Sequence, residues 1–320
     1  MKTNKFDAYR KKTFTSYWNH FSTNPKKFQS TSIFFTKFKK FLKKLIGIKI
    51  QIYRYKKLNA KNESLTSYQK NISIINYRNE LLANVVKNYL RYFNLTCDQQ
   101  KLICFIEEYS KKFSDTPIQD MNSGFGFNEG LFLYCLIKVL RPTLVIESGV
   151  MRGFTTYIID AASEKNCLIY CYDISFENLK YKSKKASYFN NDITKTPPNL
   201  EGNKVLAFWD DHTSQLDRLE FSIKNKIKFN IFDDDLSFLN FHSDGWPPIP
   251  SISMLYQIKA KIINENVINW MSRGREGVMN LDEIIKNKSI DKIKFYKLFP
   301  HLFTITGYKS HSECSFLILR

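Results

Sequence analysis

Two glycines four residues apart, set between two short apolar runs of which the second closes on an acid, make residues 143–173 the stretch that most constrains how this chain can fold. Thr143 to Ile146 is apolar and β-branched, long enough for a buried parallel strand and too short for a helix. Glu147-Ser148-Gly149-Val150-Met151-Arg152-Gly153 breaks that run. Gly149 allows a turn without a Cβ penalty, and Gly153 lets the backbone approach a ligand where Thr155 and Thr156 can cap a helix through Ala162. The first N–H groups of that helix would then face an anion. Cys167 to Tyr172 is a second buried run, and Asp173 ends it, where a carboxylate can accept both hydroxyls of a ribose. The order strand, glycine turn, helix, strand predicts a parallel βαβ unit, and the glycine spacing departs from GxGxxG, which disfavours a nicotinamide or flavin.

Further along, apolar runs again end in acids. A lysine-rich helix is expected from Asp173 to Lys185, then a third strand at Ala186–Phe189 followed by Asn190-Asn191-Asp192, where an adenine base would be read or where Asn and Asp simply cap a loop. Val205–Trp209 ends in Asp210-Asp211-His212, Thr213 or Ser214 can cap a helix to about Lys224, and Phe229–Phe232 ends in Asp233-Asp234-Asp235. Two strands joined by one helix form a right-handed crossover, which brings both acid clusters to one sheet edge. Five carboxylates there require a bound cation or a raised pKa, and all-oxygen ligands suit Mg²⁺, Mn²⁺ or Ca²⁺. Asp211 and Asp235 have an equally good reading as helix caps. His212 is a candidate general base, and His242, in the long loop after the fifth strand, is another.

Glu147, Gly149, Gly153 and Asp173 resemble motif I and the acidic motif of class I S-adenosylmethionine-dependent methyltransferases. The likeness is strongest to the cation-dependent catechol and caffeoyl-CoA O-methyltransferases, in which a Glu-Gly helix, here Asn128-Glu129-Gly130-Leu131-Phe132-Leu133, leads into the first strand. It covers roughly 126–320. The resemblance implies an α/β, Rossmann-like sheet, mostly parallel with an antiparallel last strand and helices on both faces. It implies S-adenosyl-L-methionine held by Glu147, Gly149, Arg152, Gly153, Thr155, Asp173 and Asp192, and a divalent cation (Mg or Mn) held by Asp210 or Asp211 with Asp233 and Asp234, or Asp234 and Asp235. The activity implied is methyl transfer to a hydroxyl of a small molecule or sugar. One departure stands out: the lysine base of the catechol-type enzymes falls here on Ser214 or Thr213, leaving His212 as the nearest substitute. Cephalosporin-hydroxylase-like relatives keep the same sheet and acidic trio, so an iron-dependent hydroxylase-like enzyme is an alternative, and a non-catalytic binding module with a docking basic arm is another.

Composition matters chiefly at the N-terminus. The chain has 320 residues and a net charge of +19, and residues 1–70 hold 18 Lys and Arg against 2 Asp and Glu. A basic, mainly helical region over 1–125 is therefore expected before the α/β domain at 126–320, with residues 1–32 partly disordered and Asp120-Met121-Asn122-Ser123-Gly124 placed to act as a lid. In 33–50, Phe34, Phe38, Phe41, Leu42, Leu45 and Ile46 repeat at helical spacing between lysines, a pattern for an anionic membrane surface, for nucleic acid less readily, or for packing on the body or on another copy of the chain. The six cysteines have no framework spacing, no apolar run reaches bilayer length, and the expected location is cytoplasmic or peripheral on a membrane.

Overall fold

The computed structural model describes residues 72–118, 125–239, 249–263, 265–272, 275–308 and 312–320. The amphipathic stretch at 33–50, residues 1–32, the lid expected at 120–124 and His242 all lie outside the described residues.

Helix α1 (Ile72–Tyr92) is followed by α2 (Gln99–Ser114), α3 (Phe127–Leu140), β1 (Leu144–Ser148), α4 (Phe154–Ala162), β2 (Leu168–Tyr172), β3 (Ala186–Phe189) and β4 (Val205–Trp209). Then come α5 (Gln215–Lys224), β5 (Phe229–Phe232), α6 (Ile252–Lys259), β6 (Val267–Ser272), β7 (Arg275–Asn280), α7 (Leu281–Lys286), β8 (Ile293–Leu298), α8 (Phe303–Thr306) and β9 (Ser315–Leu319). Seven strands form one sheet in the order β3-β2-β1-β4-β5-β9-β8, parallel from β3 to β5, with β9 antiparallel to both β5 and β8. This is the class I methyltransferase-type sheet that the resemblance implied. The chain order reverses direction between β1 and β4, the kind of switch point where open α/β sheets bind ligands.

Burial explains the order. β1, β4, β5 and β9 are buried at every residue, as strands covered on both faces must be, while β3 and β8 at the edges are only partly covered. On one face Val145, Leu206, Phe208, Ile231 and Phe316 pack beneath α1 to α4; on the other Leu144, Ile146, Ala207, Trp209 and Leu317 pack beneath α5 and α6. Helix α3 is apolar all round and nearly all buried, so it serves as the inner layer against which α1, α2 and α4 pack. It stops at Arg141, which adopts a left-handed conformation just before Pro142.

One local expectation needs correction, and one element was not foreseen. The segment from Asp173 to Lys185 contains no helix: its lysines lack an apolar stripe, and it is held instead by backbone bonds from Lys180 and Tyr181 to the Arg152 carbonyl. Helix α2 is capped by Asp98, whose carboxylate accepts from Gln100 N and Lys101 N. The β6–β7 hairpin was not foreseen; it closes over Gly277, where a Cβ would stand 2.7 Å from the Trp270 indole.

The Glu-Gly pair on α3 has a packing cause. Glu129 Oε2 accepts from Gly126 N at 3.1 Å and closes the helix start, while a Cβ on Gly130 would stand 2.3 Å from Tyr109 Oη and 2.7 Å from Ile158 Cδ1. Gly130→Ala is therefore expected to destabilise the fold by about 1–3 kcal/mol through overpacking. Urea unfolding checks this: the midpoint should fall with the slope unchanged.

Candidate functional site

The ends of β1, β2, β4 and β5 meet at the switch point, and main-chain bonds tie them together. Gly149 N donates to the Tyr172 carbonyl, Asp210 N to Ser148 O and Asp233 N to Trp209 O, so the turn after β1 and the acids after β4 and β5 share one edge. Gly149 sits at φ +91°, and a Cβ there would lie 2.1 Å from the Asp210 carbonyl oxygen. Any other residue would be strained and would push the two strand ends apart. Gly153 is likewise left-handed, at φ +82°, but a Cβ there would meet the Tyr181 carbonyl oxygen at 2.5 Å. Its close approach is to the chain's own backbone rather than to a ligand. The α4 cap also differs from expectation. Gly153 is the N-cap, and Thr156 Oγ1 is turned inward to donate to Glu147 Oε2 at 2.6 Å; Thr155, buried in the first turn, makes no cap bond.

Glu147 is fully buried at the end of β1. Burial pushes its carboxyl up to about 8, against the opposing hydrogen bonds from Thr156 and Cys171. Its Oε1 is buried with no hydrogen-bond partner. A ligand ammonium in the turn would supply the missing donor, which fits the methionine end of S-adenosylmethionine. Asp173 is less open than expected: Oδ2 accepts from Val150 N at 2.8 Å and Met151 N at 2.9 Å, and Oδ1 accepts from Ser175 N at 3.0 Å. It clamps the glycine turn, and a carboxylate oxygen carrying one donor keeps a lone pair for a ribose hydroxyl. Arg152 supplies its carbonyl to Lys180 N and Tyr181 N.

The four carboxylates assigned to a cation fall into two groups. Asp211 turns toward α5, where its Oδ2 accepts from Arg218 Nε at 2.8 Å and Ser148 Oγ at 2.5 Å, and its Oδ1 from Thr213 Oγ1 at 2.7 Å. Asp192 is also bound to Arg218, and its Oδ1 accepts from Thr194 N and Oγ1. Burial opposes ionisation of Asp192, but the Arg218 and Thr194 bonds outweigh it and bring its pKa down to about 2. The second group is Asp210, Asp233 and Asp234. Asp210 and Asp233 are joined carboxyl to carboxyl, and burial followed by the charges of Asp233 and Asp234 drives Asp210 well above the usual carboxylate range. Asp234, in a left-handed conformation at φ 51°, is pushed up to about 7 by burial and by Asp233. Both shifts favour the protonated forms of Asp210 and Asp234. The oxygen donors suit a hard cation, but among the described residues no three acidic, histidine or cysteine side chains stand in a ligating arrangement. Asp210, Asp233 and Asp234 are thus not a preformed ligand set in this structure.

His212 Nδ1 lies 3.6 Å from Asp234 Oδ2, on a side chain 42% exposed, at the mouth of this group. Asp235 belongs elsewhere: Ser253 N and Tyr296 Oη donate to it at 2.6 and 2.9 Å, so it anchors α6 and β8 beneath the sheet end. The sequence reading missed Ser312 and Cys314, whose Oγ and Sγ donate to Asp233 Oδ1 at 2.6 and 2.7 Å, and Gln215, whose Nε2 donates to the Asp233 carbonyl at 2.7 Å. Nothing in a lone serine or cysteine marks it in sequence; only the antiparallel return of β9 beside β5 brings the first two to the site. Arg218 was legible only as one charge on an amphipathic helix.

No family model matches the chain, and no curated protein matches it. Solved structures do resemble it. An O-methyltransferase, TomG, from Streptomyces achromogenes in complex with SAM is 8% identical over 73% of this chain and 96% of its own, at a TM-score of 0.37. An O-methyltransferase from Bacillus cereus in complex with SAH is 11% identical over the same shares, at 0.36. A SAH-bound methyltransferase from Podospora anserina is 9% identical over 68% and 87%, at 0.35. These are distant likenesses, and the chemistry rests on this chain's own residues.

Raised carboxyl pKa values make stability fall with pH. Above about pH 4.5 the folded chain keeps protons that the unfolded chain has released, on Asp234 up to about pH 7 and on Glu147 up to about pH 8, with Asp210 acting in the same direction, so unfolding becomes easier as pH rises through that window. Glu147→Gln, which keeps the acceptor for Thr156 and Cys171 without the titration, should flatten part of that decline and be the more stable form at pH 8. Urea midpoints of both proteins from pH 5 to 9 check this, and parallel curves would contradict it.

Proposed function

We propose that the protein is an S-adenosylmethionine-dependent O-methyltransferase acting on a hydroxyl of a small molecule or sugar. The observation that carries this reading is the meeting of the Gly149 turn, Asp173 and the Asp210–Asp233 pair at one end of a class I sheet. Glu147 and the turn would hold the amino-acid end of the cofactor and Asp173 one ribose hydroxyl. When bound, S-adenosylmethionine supplies an electrophilic methyl group on sulfur. The acceptor hydroxyl must lose its proton as it attacks, and a carboxylate oxygen of the Asp210–Asp233 pair would take it. His212 is positioned to relay that proton to solvent through Asp234. Beside Asp233, the residues Asn128, Glu129, Phe299, His301, Ser312 and Cys314 line a small recess.

Cation assistance by Mg²⁺ or Mn²⁺ is the second reading of the same edge, supported by the mutual repulsion of Asp210, Asp233 and Asp234, which a divalent ion would relieve. The basic segment at 33–50 is proposed to dock on anionic membrane.

Binding is the first test. S-adenosylhomocysteine at about a hundred times its Kd should stabilise the chain by about 2.7 kcal/mol, read as a rise in Tm, and Asp173→Ala, which unties the glycine turn, should lose the rise. No shift in the native protein removes the methyltransferase reading. A chelator separates the two versions of the chemistry: activity that disappears and returns with Mn²⁺, together with a metal-induced Tm shift lost in Asp233→Asn, establishes the cation, whereas unchanged activity leaves the carboxyl pair acting alone.

A further inference from the structure

Asp192 and Asp211 follow different strands, yet one side chain joins them. Arg218, on α5, is only 4% exposed; its Nε donates to Asp211 Oδ2 at 2.8 Å, one terminal nitrogen pairs with Asp192 Oδ2, and the other lies 3.4 Å from Asp192 Oδ1. The guanidinium carbon stands 5.7 Å from the Trp209 ring centre, and Ser148 Oγ donates to the same Asp211 oxygen that Arg218 holds. β3 and β4 are not neighbours in the sheet; β2 and β1 lie between them. At about 4.8 Å per strand their ends are some ~14 Å apart at sheet level. The loop after β3 therefore folds back beneath the edge, with Ile193 fully buried and Thr196 O accepting from Tyr172 Oη, and Arg218 pins its near end to the end of β4.

A guanidinium is planar and presents donors on two edges at fixed angles, so it can set the separation of two carboxylates; an ammonium on a flexible stem cannot. Without it, two part-buried anions would be left to repel each other and to seek water. We propose that Arg218 is a positioning residue: acting through Asp192 and Asp211, it sets the separation of the β3 and β4 ends and thereby the width of the nucleoside end of the cofactor site. This rests on the methyltransferase reading above. It also changes the role of Asp192, whose carboxylate is taken up by Arg218 and Thr194 and holds its own loop in place.

Titration calorimetry of the full chain with S-adenosylhomocysteine and, separately, with adenosine tests the clamp. Arg218→Lys should raise the Kd of both probes by roughly tenfold, by the same factor because the loss is at the nucleoside end, with a stoichiometry near one and a Tm within about 4 °C of the native chain. Asp192→Asn, which leaves Arg218 bound to Asp211, should shift both Kd values in the same direction and serves as the deciding variant if Arg218→Lys does not fold. Unchanged Kd values in the folded variants, or a fall in stoichiometry and Tm at constant Kd, mean that Arg218 only neutralises charge, and the clamp is wrong. No heat with the native chain overturns the methyltransferase reading and the clamp together.

Discussion

The turn after β1 lies so close to the end of β4 that only a residue without a side chain fits at position 149. That contact, with the Asp210 carbonyl where a Cβ would have to be, fixes how near the strand ends come to each other. Once they are that near, the acids after β4 and β5 are forced into one another's field, and the fold must supply either protons or cations to hold them. Asp211 receives a cation from the chain itself, in Arg218, while burial and the neighbouring acids hold Asp210 toward its protonated form. The same close approach thus creates the electrostatic asymmetry between the two sides of the switch point.

Several polar groups serve the frame rather than the chemistry. Asp235 ties β5 to α6 and β8, Gln215 bridges the Asp233 carbonyl and Ile252 N, and Asn128 joins α3 to the C-terminal segment through Tyr308 O and Thr306. Each is buried, and each has its partners in elements remote in sequence, as buried polar groups must if they are not to cost stability. Their effect is to hold the β5 end rigid where Asp233 and Asp234 emerge.

Much of the fold was legible because the physical signals for it are local. Buried parallel strands read as short unbroken apolar runs, and the five parallel strands of the main sheet, β1 to β5, were recognisable this way. The lysine-rich stretch after Asp173 misled because charge density suggests a helix only when an apolar stripe accompanies it, and here the chain is held by the Arg152 carbonyl instead. The hairpin at Val267–Asn280 escaped notice because its pairing depends on packing Ile268 and Met279 against α6, which no alternation of a few residues announces.

Sequence alone determined the periodicities, the glycine turn and the placing of acids at strand ends, since each of these follows from the backbone and side-chain chemistry of a few consecutive residues. Which acids would face one another was decided only in three dimensions. Asp210 and Asp211 are neighbours in the chain, yet one is turned to Asp233 and the other to Arg218, because successive residues leaving a strand point to opposite faces and each face has its own partners. Ser312 and Cys314 reach Asp233 for a related reason: an antiparallel strand inserted between β5 and β8 brings the far end of the chain to the sheet edge, a proximity that hydrogen-bonded pairing creates and no local pattern encodes.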